Sequence, residues 1–353
     1  MRKIDISQIK PGSKLARNIY NPGGQILLRQ STILTQKFLD RLKAMGFNAI
    51  FIEDGLMDDI DQDETISEKT RLQATNCIRE VVDNFKYSRT LQVGHVKKVV
   101  TGIVDDIIMS SDLMLSLSDI RSYDDYTFHH SVNVTVISVM IGLCLHYDYN
   151  RLCDLGLGVL LHDIGKIMIP VETLNKPGKL THEEYHLVKQ HTWHGFEILR
   201  IEPEMKITSA HVALQHHERY DGSGYPRQLK GPEILDFARI AAIADVYDAM
   251  TNERCYRSKI PVNEVRQYLL DNSGTLFDPF ILERFLEKIS LYPQGTKVVL
   301  NDGRSGLVIR NNCLDSTRPL LRLFWNDNGS PLTKPVEINL YNDVSLQIVE
   351  VVQ

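Results

Sequence analysis

The sequence predicts a multidomain chain: a central all-α helical bundle, a small N-terminal α+β module and a small C-terminal β-rich module. Three observations carry this. Residues 120–290 keep helical periodicity with few strand signals. Residues 1–55 combine a Pro-Gly-Gly turn cluster, one amphipathic helical run and short strand-like runs. After Tyr292-Pro293, short alternating runs replace helical spacing. With 353 residues, 43% of them hydrophobic, the chain can bury two or three cores. The boundaries read as 1–56 for a small regulatory α+β module, 57–119 for a linker and helical region, 120–291 for the bundle and 292–353 for the β-rich module.

In order along the chain, Ala16–Tyr20 and Gln25–Leu28 flank Asn21-Pro22-Gly23-Gly24 and predict a hairpin. Thr35 to Met45 carries Phe38, Leu39, Leu42 and Met45 at helical spacing, and Ala49–Ile52 reads as a returning strand. The acidic run Asp58, Asp59, Asp61, Asp63 and Glu64 lacks the glycine and spacing of a calcium loop, so it is expected to be a solvated linker. From Ser67 to about Leu117 the pattern is helical, through Val81, Val82 and Phe85 and then Val99, Val100, Ile103, Ile107 and Ile108. In the last module Lys297–Leu300 and Gly306–Arg310 flank Asn301-Asp302-Gly303, a strong hairpin signal. Runs at Leu320–Phe324, Val336–Leu340 and Ser345–Val351 complete it.

Net charge is −5 and the pI about 6.2, so no global basic surface attracts nucleic acid, and an anionic ligand must be drawn by local features. Five cysteines, far apart and without a CxxC pair, argue against a disulfide framework and a thiolate zinc site. The start MRKIDISQIKPGSK lacks the apolar stretch of a signal peptide. Val134 to Leu145 is too short to span a bilayer and reads as a buried core helix. A cytoplasmic protein is expected, with no membrane association.

Five histidines and two aspartates interrupt the apolar helices of the bundle: His130, His162-Asp163, His191, His216-His217 and Asp245. Imidazole and carboxylate are ligands of catalytic metals, and seven exceed what one metal needs. Two cations sharing a ligand are expected; such sites suit hydrolysis of phosphate esters. Gly165 is expected to end the helix of Leu155–Leu161, leaving His162-Asp163 at its C-terminal end. Thr181 and Glu184 form a capping box for the next helix, with His191 near that helix's end. His182, His186 and His194 read as surface or packing histidines. His216-His217, followed by Glu218 and a glycine-rich turn, suggests ligands at a helix end beside a loop. Asp245 lies in the apolar run Ile240–Met250, where a carboxylate is costly unless paired or metal-bound. Lys166 follows the His-Asp pair and is the candidate for stabilising phosphate or leaving oxygen. Gly224, Tyr225 and Pro226 allow close backbone approach and offer one aromatic face to a nucleotide. No G-x-S-x-G elbow or Walker loop supports covalent or NTP-cradling chemistry.

HHSVNV, LLHDIGKI, LNKPGKLTHEE, His191, HHERYDGSGYP and ADVYDAMTNERCYR resemble, in order and spacing, the HD-GYP family of HD phosphohydrolases. The resemblance covers residues 120 to 290 and implies an HD-type bundle and a cyclic di-GMP phosphodiesterase. Such an enzyme would yield pGpG, or GMP on further cleavage, through a hydroxide bridging two metals. It implies that His130, His162, Asp163 and Asp245 hold one metal and that Asp163 bridges to a second held by His191, His216 and His217. Asp163 and Lys166 would be the catalytic pair. Gly224, Tyr225, Pro226, Arg254 and Arg257 would contact substrate. A ligand set of nitrogen and oxygen suits iron or manganese, which the family favours; nickel, cobalt and zinc stay open on ligand type alone. Tyr126 stands where some members carry a glutamate for a third metal, so two divalent ions are expected and Asp248 is a supporting group. Besides cyclic di-GMP, the expected partners are a second copy of the chain and a diguanylate cyclase or other signalling protein; no nucleic acid polymer is expected. A dinucleotide receptor without turnover and an HD-type hydrolase of another nucleotide are the alternatives.

Overall fold

The computed structural model describes residues 2–21, 25–45, 47, 49–53, 55–57, 59–60, 65–110, 126–251, 260–312 and 315–352, with the backbone alone at residues 2, 3, 126 and 127. The chain divides into two compact units. One takes in Met1–Glu64 and Glu287–Gln353, the other Thr65–Ser110 and Asp125–Leu286.

The first unit begins with β1 (Arg2–Asp5), β2 (Lys14–Leu15), β3 (Ile19–Tyr20), β4 (Ile26–Leu28), α1 (Gln36–Ala44) and β5 (Ala49–Glu53). The expected returning strand, β5, is central and pairs antiparallel with both β1 and β2. The segment RKID carries no alternating pattern; it becomes β1 through pairing with β5 rather than through its own propensity. β3 and β4 pair as the expected hairpin, whose turn residues 22–24 lie outside the described residues. Thr35 accepts the Phe38 N–H and caps α1, which turns Leu39 and Leu42 toward Leu15, Leu34, Ile50 and Ile52.

The same unit contains β6 (Lys297–Leu300), β7 (Ser305–Arg310), β8 (Leu320–Trp325), β9 (Pro331–Asn339) and β10 (Ile348–Val352). They form one antiparallel sheet in the order β10-β6-β7-β8-β9. Gly303, at φ +87°, permits the expected tight turn between β6 and β7. Strand alternation sends Val298, Leu300, Val308, Leu321 and Leu323 into one core and Leu307 and Ile309 into another with Met57. The acidic run is not wholly solvated linker: Asp59 pairs with Arg322, which also binds Glu337. Asp58, Asp61, Asp63 and Glu64 lie outside the described residues.

The second unit is helical: α2 (Glu68–Ser88), α3 (Val93–Met109), α4 (Tyr126–Cys144), α5 (Tyr149–Leu160), α6 (Val171–Leu174), α7 (His182–Lys189), α8 (His191–Arg200), α9 (Ile207–Gln215), α10 (Asp236–Thr251), α11 (Val262–Asp271) and α12 (Pro279–Leu286). Helices α2 and α3 come from the stretch read as linker and helical region, and they lie in this unit. The middle of α4 is apolar on every side, so it becomes the buried core helix expected at Val134–Leu145, touching α2, α3, α5, α10 and α12. Asp236 starts α10 and accepts hydrogen bonds from Tyr147 and Arg151, tying α10 to the α4–α5 corner. Arg71 of α2 donates to Asn133 of α4 at 2.8 Å. Among the described residues, no helix is long and apolar enough to cross a membrane.

Candidate metal centre

Five helix ends or interiors bring the seven candidate ligands together. His130 lies on the first turns of α4, His162 and Asp163 just beyond α5, His191 at the first position of α8, His216 and His217 just past α9, and Asp245 inside α10. Their donor atoms fall into three overlapping groups, each with atoms within 4.8 Å of one another. These are His130, His162 and Asp245; His162, Asp163 and His216; and His191, His216 and His217.

Local backbone geometry aims the imidazoles. Nδ1 of His162 meets the Val159 carbonyl at 2.7 Å, Nδ1 of His191 the Val188 carbonyl at 2.6 Å, and Nδ1 of His216 the Val212 and Ala213 carbonyls at 3.0 Å. A ring that donates from Nδ1 presents Nε2 as a lone pair. These Nε2 atoms converge: those of His191 and His216 are 3.4 Å apart. Burial, first of all, lowers the pKa of His162, His191 and His216, and takes that of His217 down to about 3. Neutral imidazoles with facing lone pairs are poor neighbours for each other and good donors to a cation.

Asp163 sits between the groups. Its Oδ2 is 3.5 Å from His162 Nε2, and its Oδ1 is 3.5 Å from His191 Nε2 and 3.8 Å from His216 Nε2. Burial would raise its pKa, but Lys166 and the surrounding histidines hold the carboxyl well below the usual range. Oδ1 is buried and has no hydrogen-bond partner. An ionised, buried oxygen left without a donor is costly unless a cation takes it. The donor set therefore fits divalent metal on both sides of Asp163.

At the far side, His130 Nε2 is 3.1 Å from Asp245 Oδ1, while its Nδ1 is 2.7 Å from Oδ2 of the fully buried Asp248. Burial opposes protonation of His130, yet these two carboxylates raise its pKa, and Asp245 is correspondingly depressed despite its burial. Asp248 thus orients the ring from behind. Replacing it, as Asp248→Ala, is expected to weaken metal binding at the His130 side about 10–100-fold. Titration of apo-protein with manganese and elemental analysis check this; unchanged occupancy contradicts the orienting role.

Two expectations about local structure need correction. His191 does not lie near the end of the helix that Thr181 starts. That helix has its capping box but stops at Lys189, and His191 opens the next one. Gly165 does not end α5, which closes at Leu160 with Leu161 as its cap. Gly165 lies inside the following 3₁₀ turn, Ile164–Met168, where a Cβ would stand 1.9 Å from the His191 carbonyl oxygen.

Lys166 reaches Asp163 Oδ2 at 2.5 Å, beside the cluster as expected. The Tyr225 ring lies 4.8 Å from that of His217, and Gly224 is buried, where a Cβ would be 2.3 Å from the Arg219 nitrogen. Pro226 follows Tyr225 in the same loop. Arg254 and Arg257 lie outside the described residues, as does the side chain of Tyr126. His182 and His186 are exposed and His194 half-buried, and none joins a ligand group among the described residues.

Sequence reading missed Glu218 as a structural determinant of the loop. It is buried, and its two oxygens accept the backbone N–H of Arg227 at 2.7 Å and of Leu229 at 3.1 Å. Burial raises its pKa, while those N–H donors hold it down. The only sequence signal is an acid directly after His217. Glu218→Ala leaves two N–H groups short of a partner and should cost about 1–3 kcal/mol, seen as a lower thermal midpoint. A midpoint unchanged from wild type would show that water satisfies the loop equally well.

All seven candidate ligands lie within a stretch that matches a known family model. The HD domain family matches residues 108–281, and the KOW domain associated with HD domain matches 297–353. A cyclic di-GMP phosphodiesterase of Pseudomonas aeruginosa is 33% identical over 74% of this chain and 64% of its own length. A cyclic di-GMP phosphodiesterase of Thermotoga maritima is 40% identical over 50% of this chain and 48% of its own. The chain thus spans between about half and two thirds of these curated relatives. The solved structure of Bd1817, a HDG"Y"P protein from Bdellovibrio bacteriovorus, covers 81% of this chain and 98% of its own at TM-score 0.54 and 20% identity, a likeness of fold. With the HD-domain match, these relatives and the HDIGK and DGSGYP strings in register with the cluster, the chain belongs to the HD-GYP family of HD-domain proteins.

Proposed function

We propose that this chain is a metal-dependent phosphodiesterase that hydrolyses cyclic di-GMP to linear pGpG, with GMP as the product of a second cut. The observation that carries this reading is the buried, hydrogen-bond-free Oδ1 of Asp163 facing two Nε2 atoms, while Oδ2 faces a third. The names of the relatives supply the substrate class. His130, His162, Asp163 and Asp245 would hold one ion; Asp163, His191, His216 and His217 would hold the other. When bound, two divalent cations, iron or manganese, supply an activated water and neutralise charge on the phosphoryl group.

The chain's own residues do the rest. Backbone carbonyls fix the donor faces of His162, His191 and His216, so their geometry is set before ligand arrives. Lys166 donates to Asp163 Oδ2, keeps the carboxylate ionised and puts a cation beside the reacting phosphate. Tyr225 and Gly224, on the loop pinned by Glu218, form a wall that limits water and lets the nucleotide approach the backbone. No side-chain nucleophile is required.

The test is product analysis with protein loaded with iron or manganese without oxygen. Linear pGpG is expected, and a chelator should abolish turnover. Tight binding of cyclic di-GMP with no product under either metal would overturn the phosphodiesterase reading in favour of a receptor.

A further inference from the structure

The ammonium group of Lys189 stands between two tyrosine rings, 4.5 Å from the centroid of Tyr185 and 5.0 Å from that of Tyr225. Tyr225 in turn lies against His217, at 4.8 Å and 32° between planes. A continuous path of stacked groups thus runs from the metal cluster through His217 and Tyr225 to a held cation. Lys189 is half-buried, so part of its hydration is replaced by aromatic faces, which attract it with about 0.5–2 kcal/mol. Among the described residues no carboxylate lies within 4.0 Å of it, in contrast to Lys166 and Lys176, which are both paired.

That arrangement bears on an anionic ligand. The chain carries a net charge of −5, so attraction of a dianion depends on local cations. Lys166, paired with Asp163, stands beside the reacting phosphate, so a second phosphate calls for another cation. The two rings restrain the long Lys189 side chain in advance, which lowers the entropy cost of using it to bind. Its ammonium meets Tyr225, which itself packs on His217, so Lys189 lies beside the cluster without being one of its candidate ligands. A ligand with a single phosphate held at the cluster need not reach it. A cyclic dinucleotide has a second, non-reacting phosphate on the opposite side of its ring.

We propose that Lys189, held between Tyr185 and Tyr225, binds the non-reacting phosphate of a cyclic dinucleotide and makes the site prefer two-phosphate substrates over simple phosphodiesters. This deepens the phosphodiesterase reading and rests on it. Lys189 is a specificity-determining residue: it takes no part in bond cleavage and acts through binding. Tyr185, 47% exposed, supplies the outer of the two contacts that hold the ammonium, Tyr225 being half-buried.

The test compares wild type, Lys189→Met and Lys189→Arg, each loaded with manganese and assayed on cyclic di-GMP and on bis(p-nitrophenyl) phosphate. Methionine keeps an unbranched apolar stem in the tyrosine sandwich and removes the charge. K189M is expected to raise KM for cyclic di-GMP at least about tenfold, with kcat within about threefold, metal content unchanged and turnover of bis(p-nitrophenyl) phosphate unchanged. K189R should recover most of the loss, since guanidinium also stacks on tyrosine and binds phosphate. An unchanged KM in K189M, with wild type active, overturns this proposal and leaves the phosphodiesterase reading intact. So does an equal loss on both substrates or a loss of metal, either of which marks a structural role near His191. Wild type turning over bis(p-nitrophenyl) phosphate but not cyclic di-GMP overturns both readings.

Discussion

Asp163→Ala protein is expected to fold, to lose both metal ions and to lose turnover by more than about 1000-fold, or about 4 kcal/mol of transition-state stabilisation. The magnitude follows from position. The two oxygens of Asp163 face both histidine sets, so its removal subtracts a donor from each. Folding should survive because the metal-free protein gains little from the group. Its Oδ1 has no hydrogen bond, and its main partner, Lys166, is 35% exposed and can turn to water. Metal loading should raise the thermal midpoint of wild type by mass action and leave that of the variant unmoved. Elemental analysis, melting curves with and without manganese, and product assay form one experiment. Two ions per chain with a near-normal rate in the variant would contradict the shared-ligand geometry.

Gly165→Ala should have the second-largest effect, and it acts through backbone. An added Cβ would lie 1.9 Å from the His191 carbonyl oxygen and 2.4 Å from the Gly195 nitrogen. Both are main-chain atoms of α8, so no rotamer change relieves the overlap; the 3₁₀ turn and α8 must separate. Overpacking of this kind costs about 3 kcal/mol, which for a unit of this size lowers the thermal midpoint by about 6–12 °C. His191 begins α8, so separation also draws its ring away from Asp163. A displacement near 1 Å costs about 100-fold in rate. Gly102→Ala is the internal control. That glycine sits mid-helix in α3, where a new Cβ meets only Thr70 Cγ2 at 3.8 Å, and the change should be neutral or stabilising by up to about 1 kcal/mol. Equal melting behaviour of the two variants would refute the close-approach account of Gly165.

How far the sequence could be read depended on whether each signal was local. His162-Asp163 and His216-His217 announce themselves as polar doublets after apolar helical runs, and both doublets do lie at helix ends. The capping box at Thr181 and Glu184 is equally local. The break before His191 is not: Gln190 keeps φ −64° and ψ −15°, close to helical, and neither glycine nor proline marks it. Glu218 acts on amides nine and eleven residues away, and Lys189 meets a ring from a loop beyond α9. No periodicity encodes such pairings. Strand β1 escaped notice for the same reason, since β5 makes it a strand.

By itself the sequence determined what kinds of groups interrupt which apolar helices, and hence the class of donors, while its motifs carried the resemblance to the family. Those follow from composition, spacing and motif, which are properties of neighbours along the chain. Only the tertiary structure decided that Asp163 faces both histidine sets, that Asp248 backs His130, and that Gly165 serves contact rather than helix termination. Such outcomes depend on close packing between helices far apart in sequence, where a shift of an ångström separates a shared ligand from an isolated one.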